Sequence, residues 1–210
     1  MPTQRTPRMN IPSESEREPN DLTRDEILKT EFEYAANSAF QANEDRSKVA
    51  SFFLLSVGSL VATIFGLQEL DHNSTIYFLL AGLFFILTIL GLLTVMQLAR
   101  LRDAWRESAK VMNAVKDYYI DHFKDQKFEA AFLWRMRTVP PKYKTVSVSY
   151  FTALEVALLS GVTFGACVYF LLMGLAGGND PITCIWWLTV GSGIFAGLLE
   201  LFVYKRMLKN

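Results

Sequence analysis

The chain has 210 residues, and its 21 Lys and Arg balance 21 Asp and Glu, so the formal net charge at pH 7 is zero. This length allows one or two domains, and the balanced charge gives no argument for a nucleic-acid partner, so none is expected. Hydrophobic residues make up 51% of the chain and charged residues 20%, averages that a soluble domain could also have. The distribution of the apolar residues along the chain must therefore decide the class of protein.

The first part of the chain is polar. Residues 1–21 are rich in Pro, Ser, Glu and Arg, and we expect this tail to be disordered because it cannot bury a core. Residues 22–48 are predicted to form a helix, which starts at a capping box made by Thr23 and Glu26. No Gly or Pro follows this box until Gly58, so the helix is expected to continue into the first apolar block.

Four long apolar blocks then dominate the sequence. They occupy residues 49–67, 76–99, 150–177 and 182–204. Each block reaches the ~20 residues that a helix rising ~1.5 Å per residue needs to cross a ~30 Å hydrocarbon core. A buried helix of a soluble protein is rarely apolar on all sides over such a length. The sequence therefore predicts an all-α integral membrane protein whose four transmembrane helices form two hairpins.

The basic residues predict the orientation of these spans. The connectors 68–75 and 178–181 contain neither Lys nor Arg, whereas residues 22–48, 100–149 and 205–210 contain many. Lys and Arg are enriched in cytoplasmic loops. Both connectors are therefore expected outside and both termini in the cytoplasm, with the lipid bilayer as a partner and a bacterial inner or plasma membrane as the location.

The first hairpin is predicted to extend beyond the membrane as an antiparallel stalk of two helices. On each helix, apolar residues spaced alternately three and four positions apart form a heptad-like seam. The seam of the first helix is rich in Ala, and that of the second helix is rich in bulky side chains. Small residues against large ones allow close packing. The predicted seam consists of Leu28, Phe32, Ala35 and Ala39 on the first helix and of Leu101, Trp105, Met112, Val115 and Tyr119 on the second.

The rest of the cytoplasmic segment must return the chain to the membrane. Residues 125–138 are predicted to form about three helical turns, which Pro140 and Pro141 end. Two placements stay open for this helix. It would lie either in the inner headgroup layer, which suits Trp134, or against the stalk.

Small residues at every fourth position mark candidate helix contacts, because close backbone approach helps to join helices in lipid. They are Gly58, Ala62 and Gly66 on the first span, Gly161 and Gly165 on the third, and Gly193 and Gly197 on the fourth. Two interpretations stay open. These residues pack the helices of one chain, or they join two protomers.

Carboxylates inside the apolar blocks are candidate functional groups, because a charge in the membrane is costly. Glu155 lies on the third span and Glu200 on the fourth, where Thr189 and Ser192 add hydroxyl groups. One hypothesis is an ion or proton site, or a carboxylate ring that lines a pore in an oligomer. The other is a pair of carboxylates at similar depth near the cytoplasmic face, which reach water or pair with nearby Lys and Arg. The second is favoured.

The sequence contains no Gly-rich phosphate loop, no paired-His zinc motif and no Ser elbow, so we expect no enzyme, no cofactor and no metal. The order of soluble helix, two spans and soluble helix in the first 125 residues resembles the layout of small bacterial membrane effector modules. No specific residue carries this resemblance, so it implies no activity. The predicted function is a structural or assembly subunit of a homo-oligomer or of a complex with other membrane subunits. An oligomeric ion channel or pore-forming effector is the alternative.

Overall fold

The computed structural model describes residues 19–66, 74–124, 126–132, 134–176 and 184–209. The elements in these residues are α1 (Pro19–Gly66), α2 (Ser74–Phe123), α3 (Gln126–Ala131), a 3-10 turn (Met136–Thr138), α4 (Val148–Leu175) and α5 (Cys184–Lys209). The described residues include no β-strand. The predicted disordered tail up to residue 18 and the connector 178–181 lie outside them.

Four of the helices are long and apolar enough to cross a membrane, namely α1, α2, α4 and α5. The predicted all-α class with four long apolar helices is therefore confirmed for the described residues. Length and composition support the assignment to a membrane protein, because each helix contains an apolar stretch that matches the thickness of a bilayer core.

Helix α1 is continuous over 48 residues, so its polar and apolar halves form one rod. It begins at Pro19, and proline suits the first position of a helix because that position needs no backbone N–H. The predicted helix start at the Thr23–Glu26 capping box is therefore wrong, since Thr23 lies within α1.

Helices α1 and α2 pack antiparallel to each other. The Ser108 hydroxyl donates a hydrogen bond to Ser38 Oγ at 3.2 Å. Further from the apolar blocks, the Tyr119 hydroxyl donates to Asp25 Oδ1 at 3.2 Å. The two bonds pair residue 38 with residue 108 and residue 25 with residue 119. The helices therefore run in opposite directions, as in a hairpin.

The predicted seam residues have their side chains buried or partly buried in the structure. Ala35, Ala39 and Val115 are buried. Those partly buried are Leu28, Phe32, Leu101, Trp105, Met112 and Tyr119. A second line of buried residues on α2 was not predicted, and it consists of Arg102, Ala109, Asn113 and Ile120.

This second line faces the segment that returns to α4. Arg102 Nε donates to the carbonyl oxygen of Lys142 at 2.6 Å, and Arg106 Nε donates to that of Pro140 at 3.1 Å. The return segment therefore runs along α2, as in the second of the two placements left open by the sequence.

The return segment is less helical than its sequence suggests. The helix predicted over residues 125–138 is wrong in length, because α3 has only six residues and a separate 3-10 turn follows it. Between them, the Arg135 guanidinium contacts Asp117 on α2 at 3.1 Å and also bonds to Glu129. The bond to Asp117 joins the return segment to α2, and the bond to Glu129 joins the two sides of the break after α3.

Helix α4 lies at the centre of the apolar bundle. It packs against α2 and α5 along most of its length and touches α1, whereas α1 and α5 make no contact with each other in the described residues. The Ser147 side chain caps the start of α4 by accepting the Tyr150 backbone N–H at 3.3 Å. The largest of the fully buried side chains are Phe53, Val95, Leu98, Val156, Tyr204 and Leu208.

Candidate functional site

The small residues of α4 and α5 form a close backbone contact. A Cβ atom on Gly161 would lie 2.6 Å from the Gly193 carbonyl oxygen, and one on Gly193 would lie 2.6 Å from the Gly161 carbonyl oxygen. For Gly165 and Gly197 the nearest backbone oxygen would be 3.1 and 3.0 Å away. Any side chain at position 161 or 193 would push the helices apart, so this crossing depends on glycine.

The small residues predicted on the first span differ from those of α4 and α5, because they do not all face a neighbouring helix. No atom lies within 4 Å of the position of a Cβ on Gly58, and Ala62 is exposed. Gly66 ends α1 at the edge of the described residues. For Gly58 and Ala62 the hypothesis of packing within the chain is therefore wrong, because α2 and α4 meet other faces of α1. Contact of these small residues with a second protomer stays a prediction.

A cluster of polar side chains lies inside the bundle, and we call Thr88, Ser160, Thr163 and Glu200 the polar cluster. Glu200 is 3% exposed, and the Ser160 hydroxyl donates to its Oε1 at 2.5 Å. The Thr88 and Thr163 hydroxyl oxygens are 3.1 Å apart. The Thr88 and Thr163 hydroxyls also donate to carbonyl oxygens of their own helices, those of Phe84 and Ser160. The cluster thus links α2, α4 and α5 through polar side chains whose hydrogen bonds are made inside the apolar bundle.

Gly91 on α2 makes room for this cluster. A Cβ atom at this position would collide with the side chain of Ser160, whose Oγ also lies 3.4 Å from the Thr88 carbonyl oxygen. Gly91 and Ser160 are not among the residues predicted from the sequence. In the sequence, Gly91 is a glycine on the second span and Ser160 is a serine directly before Gly161. Neither residue shows from the sequence alone which helix it contacts.

The two predicted carboxylates do not share a site. Glu155 is exposed on α4, whereas the Glu200 carboxyl group bonds to Ser160 in the interior. The close contacts of Gly193 with Gly161 and of Gly197 with Ala157 place the backbone of Glu200 beside residue 154. The two residues therefore lie at similar depth along the bundle, but their side chains point into different surroundings. Glu200 also forms no ion pair within the described part of the chain, because α5 turns it towards α4 and away from the terminal basic residues.

The hydroxyl groups predicted on the fourth span also face inward or stay within their own helix. Thr189 packs against Gly165 of α4. The Ser192 hydroxyl donates to the Thr189 carbonyl oxygen at 2.9 Å. Thr189 Oγ1 and Glu200 Oε2 are buried without a hydrogen-bond partner among the described residues. The polar stripe of α5 thus belongs to the contact with α4 in the same chain.

The chemistry open to this site is that of a single buried carboxyl group with one hydroxyl donor. Over the residues that the structure describes, no three His, Cys, Asp or Glu side chains are placed to hold a metal ion. The polar cluster can therefore hold a proton or fix the helices by hydrogen bonding, since a cation site needs more ligands.

We expect Ser160→Ala to destabilise the protein, because it leaves Glu200 Oε1 buried without its donor. The loss of such a hydrogen bond costs about 1–3 kcal/mol when a buried partner remains, and thermal melting in detergent measures it. Ser59→Ala removes a hydroxyl from an exposed position on α1 and should change the melting temperature little. Equal melting temperatures for both variants would contradict the structural role of the Ser160–Glu200 bond.

These features define an all-helical protein with four helices long and apolar enough to cross a membrane, and with a carboxyl group buried where three of them meet. Comparisons of the chain with protein-family models, with curated proteins and with solved structures found no match.

Proposed function

We propose that this chain is a non-catalytic integral membrane protein that acts as a structural or assembly subunit of a homo- or hetero-oligomeric membrane complex. In this proposal both termini lie in the cytoplasm of a cell with the protein in its inner or plasma membrane. The polar half of α1 and the last part of α2 then form a cytoplasmic stalk.

The observation that carries the proposal is an exposed apolar surface on the polar half of α1. Ile27 is 63% exposed and Tyr34 is 70% exposed. They are about two helical turns apart and so lie on the same side of the helix. In the proposed topology, exposed apolar side chains on the membrane-crossing parts of the helices contact lipid. Ile27 and Tyr34 lie outside the membrane and would be exposed to water. These exposed apolar side chains are suited to contact with a partner protein, and this is what supports the proposal.

The packing inside the bundle supports a role as an assembly subunit better than a role as an ion channel. The channel alternative needs a polar path along α5 that faces a lumen between protomers. Glu200 and Thr189 instead pack against α4 of their own chain. The residues that suggested a pore are therefore already used in helix packing.

We expect the double variant Ile27→Glu and Tyr34→Glu to disrupt the assembly, because it places charges on the surface that a partner would cover. The control is Lys29→Glu with Ser47→Glu, which adds negative charge at exposed polar positions on a different side of α1. The measurement is the mass of the native particle after mild extraction from the membrane. The wild type and the control should exceed the 23.8 kDa of one chain, and the Ile27/Tyr34 variant should shift towards it.

Mass spectrometry of the purified particle separates identical chains from a complex with other subunits. A wild-type particle of a single chain would contradict the proposal. Ion flux through wild-type protein in liposomes, abolished by Glu200→Gln without loss of the particle, would favour the channel alternative instead.

A further inference from the structure

A pocket of about 520 Å³ lies where the polar half of α1 meets the apolar bundle. It is formed by α1, α2 and the start of α4, so three separate parts of the chain contribute to it. We call it the arginine pocket. Its polar lining consists of Asn43, Arg46, Arg102, Ser147 and Ser149, and its aromatic lining of Phe40 and Trp105.

Two guanidinium groups dominate the charge of this pocket. Arg102 is 7% exposed, and its Nε and Nη2 donate to the carbonyl oxygens of Lys142 and Pro141 at 2.6 and 3.4 Å. Such carbonyl acceptors hold the guanidinium in place, but they do not neutralise its charge.

Arg46 on α1 faces the same pocket. Its guanidinium donates to the Ser149 hydroxyl and to the Asn43 side-chain oxygen, and both acceptors are neutral. Arg46 and Arg102 line the same pocket, and burial, together with the nearby charge of Arg102, lowers the pKa of the Arg46 guanidinium. The pocket thus brings two like charges together at a partly buried position, which is unfavourable in the absence of a counter-charge.

No carboxylate of the described residues lies within ion-pair distance of Arg46 or Arg102. Asp45 is adjacent to Arg46 in sequence but is not part of the pocket lining, and two other nearby carboxylates pair with lysines. Glu44 pairs with Lys48 at 2.9 Å, and Asp103 pairs with Lys142 at 3.5 Å. The charge of the pocket is therefore uncompensated within this part of the chain.

Two further groups complete the surroundings of the arginines. The Tyr204 hydroxyl donates to the Ser149 carbonyl oxygen at 3.3 Å and is uncharged at neutral pH. The first turn of α4, capped by Ser147, adds the partial positive charge of a helix N-terminus. Every charge that faces the pocket from these elements is therefore positive.

The pocket also lies at the level where the polar and apolar parts of the chain meet. Arg46 comes just before the apolar block that starts at Val49, and Arg102 comes just after the block that ends at Ala99. Ser149 stands at the start of α4. In the proposed topology this is the level of the cytoplasmic lipid headgroups.

We propose that the arginine pocket binds a phosphate group, carried either by an anionic lipid headgroup or by a soluble phosphate compound. Guanidinium groups suit this ligand because their planar fork of N–H donors matches two phosphate oxygens. The hydroxyls of Ser147 and Ser149 and the Asn43 amide are further polar groups at the edge of the pocket. The lipid source rests on the proposed membrane topology, whereas the soluble source does not.

The test uses the full chain in nanodiscs of phosphatidylcholine, with and without phosphatidic acid. Lipid retention by native mass spectrometry and the melting temperature report binding of the lipid phosphate. Inorganic phosphate and pyrophosphate added to the nanodiscs without phosphatidic acid report the soluble source. We expect one of the two phosphate sources to raise the melting temperature of the wild type.

The variant Arg46→Gln should weaken this binding about tenfold, the effect of losing one charge-assisted interaction. The matched control is Arg100→Gln, which removes a positive charge from an exposed position at the same level of α2 and should leave the affinity nearly unchanged. Arg46→Lys keeps the charge without the fork and should bind with intermediate affinity, which also shows that the fold tolerates substitution at this position.

Phosphatidic acid binding that is lost in Arg46→Gln and kept in Arg100→Gln identifies the lipid source, and the same pattern with pyrophosphate identifies the soluble source. Equal losses in both variants would show a general charge effect and overturn the proposal. So would wild-type protein that responds to neither probe. The particle mass is measured on the same samples, so failure of phosphate binding is separated from failure of assembly.

Discussion

Gly193→Ala is expected to destabilise the protein although it adds only one methyl group. Its Cβ would lie 2.6 Å from the carbonyl oxygen of Gly161, and a backbone atom cannot rotate away as a flexible side chain can. Helices α4 and α5 would have to separate along their whole contact. Overpacking of this kind costs about 1–3 kcal/mol, and each kcal/mol lowers the melting temperature of a chain of this size by about 2–4 °C.

The control for this effect lies on the same helix. Gly191 has no atom within 4 Å of its Cβ position, so Gly191→Ala meets no obstacle. Because alanine favours a helix over glycine by up to ~1 kcal/mol, this variant should be neutral or slightly more stable. Opposite shifts in melting temperature are the expected result. Equal shifts would mean that the close contact of α4 with α5 does not exist in the folded protein.

The double variant Ala35→Asp and Ala39→Asp should separate the polar half of α1 from α2. Both alanines are buried, and partly buried bulky side chains such as Trp105 and Met112 supply the other half of the predicted seam. The carboxylate at position 35 would lose water without gaining a cationic partner, a penalty of roughly 2–4 kcal/mol. The carboxylate at position 39 would lie in the lining of the arginine pocket, so we expect it to contribute less to the loss. The measurement is hydrogen exchange of the α1 backbone together with thermal melting, and we expect faster exchange over residues 22–48.

Asn37→Asp combined with Gln41→Asp is the matched control, because it adds the same charges at the same spacing on exposed positions of α1. Its hydrogen exchange should resemble that of the wild type. If both double variants exchange at the same rate, the burial of Ala35 and Ala39 against α2 contributes nothing to the stability of this region.

The sequence predicted the helices well because their cause is local. An apolar run of about 20 residues has few alternatives to a membrane-crossing helix, and the blocks predicted at 150–177 and 182–204 correspond to α4 and α5. The spacing of Gly161 with Gly165 and of Gly193 with Gly197 likewise identified a contact, since small residues in one helix can be recognised without knowing their partner.

The return segment shows where local signals fail. Residues 125–138 have the composition of a helix, yet α3 ends at Ala131, and Arg135 beyond it bonds to Asp117 on α2 and to Glu129 on α3. The carbonyl oxygens of residues after this turn then accept hydrogen bonds from α2. The partners on α2 lie outside the segment, so the pattern of the segment itself contains no information about them.

The length and composition of the apolar blocks determined the class of this protein, its four long helices and the residues that can approach closely. Only the tertiary structure decided that Glu200 is buried on Ser160 while Glu155 is exposed, that Gly58 faces away from the bundle, and that the arginine pocket forms at all. The physical reason is that a helix apolar on every side has no periodicity that marks its buried face. Which face meets which neighbour is then set by the fit of side chains between helices.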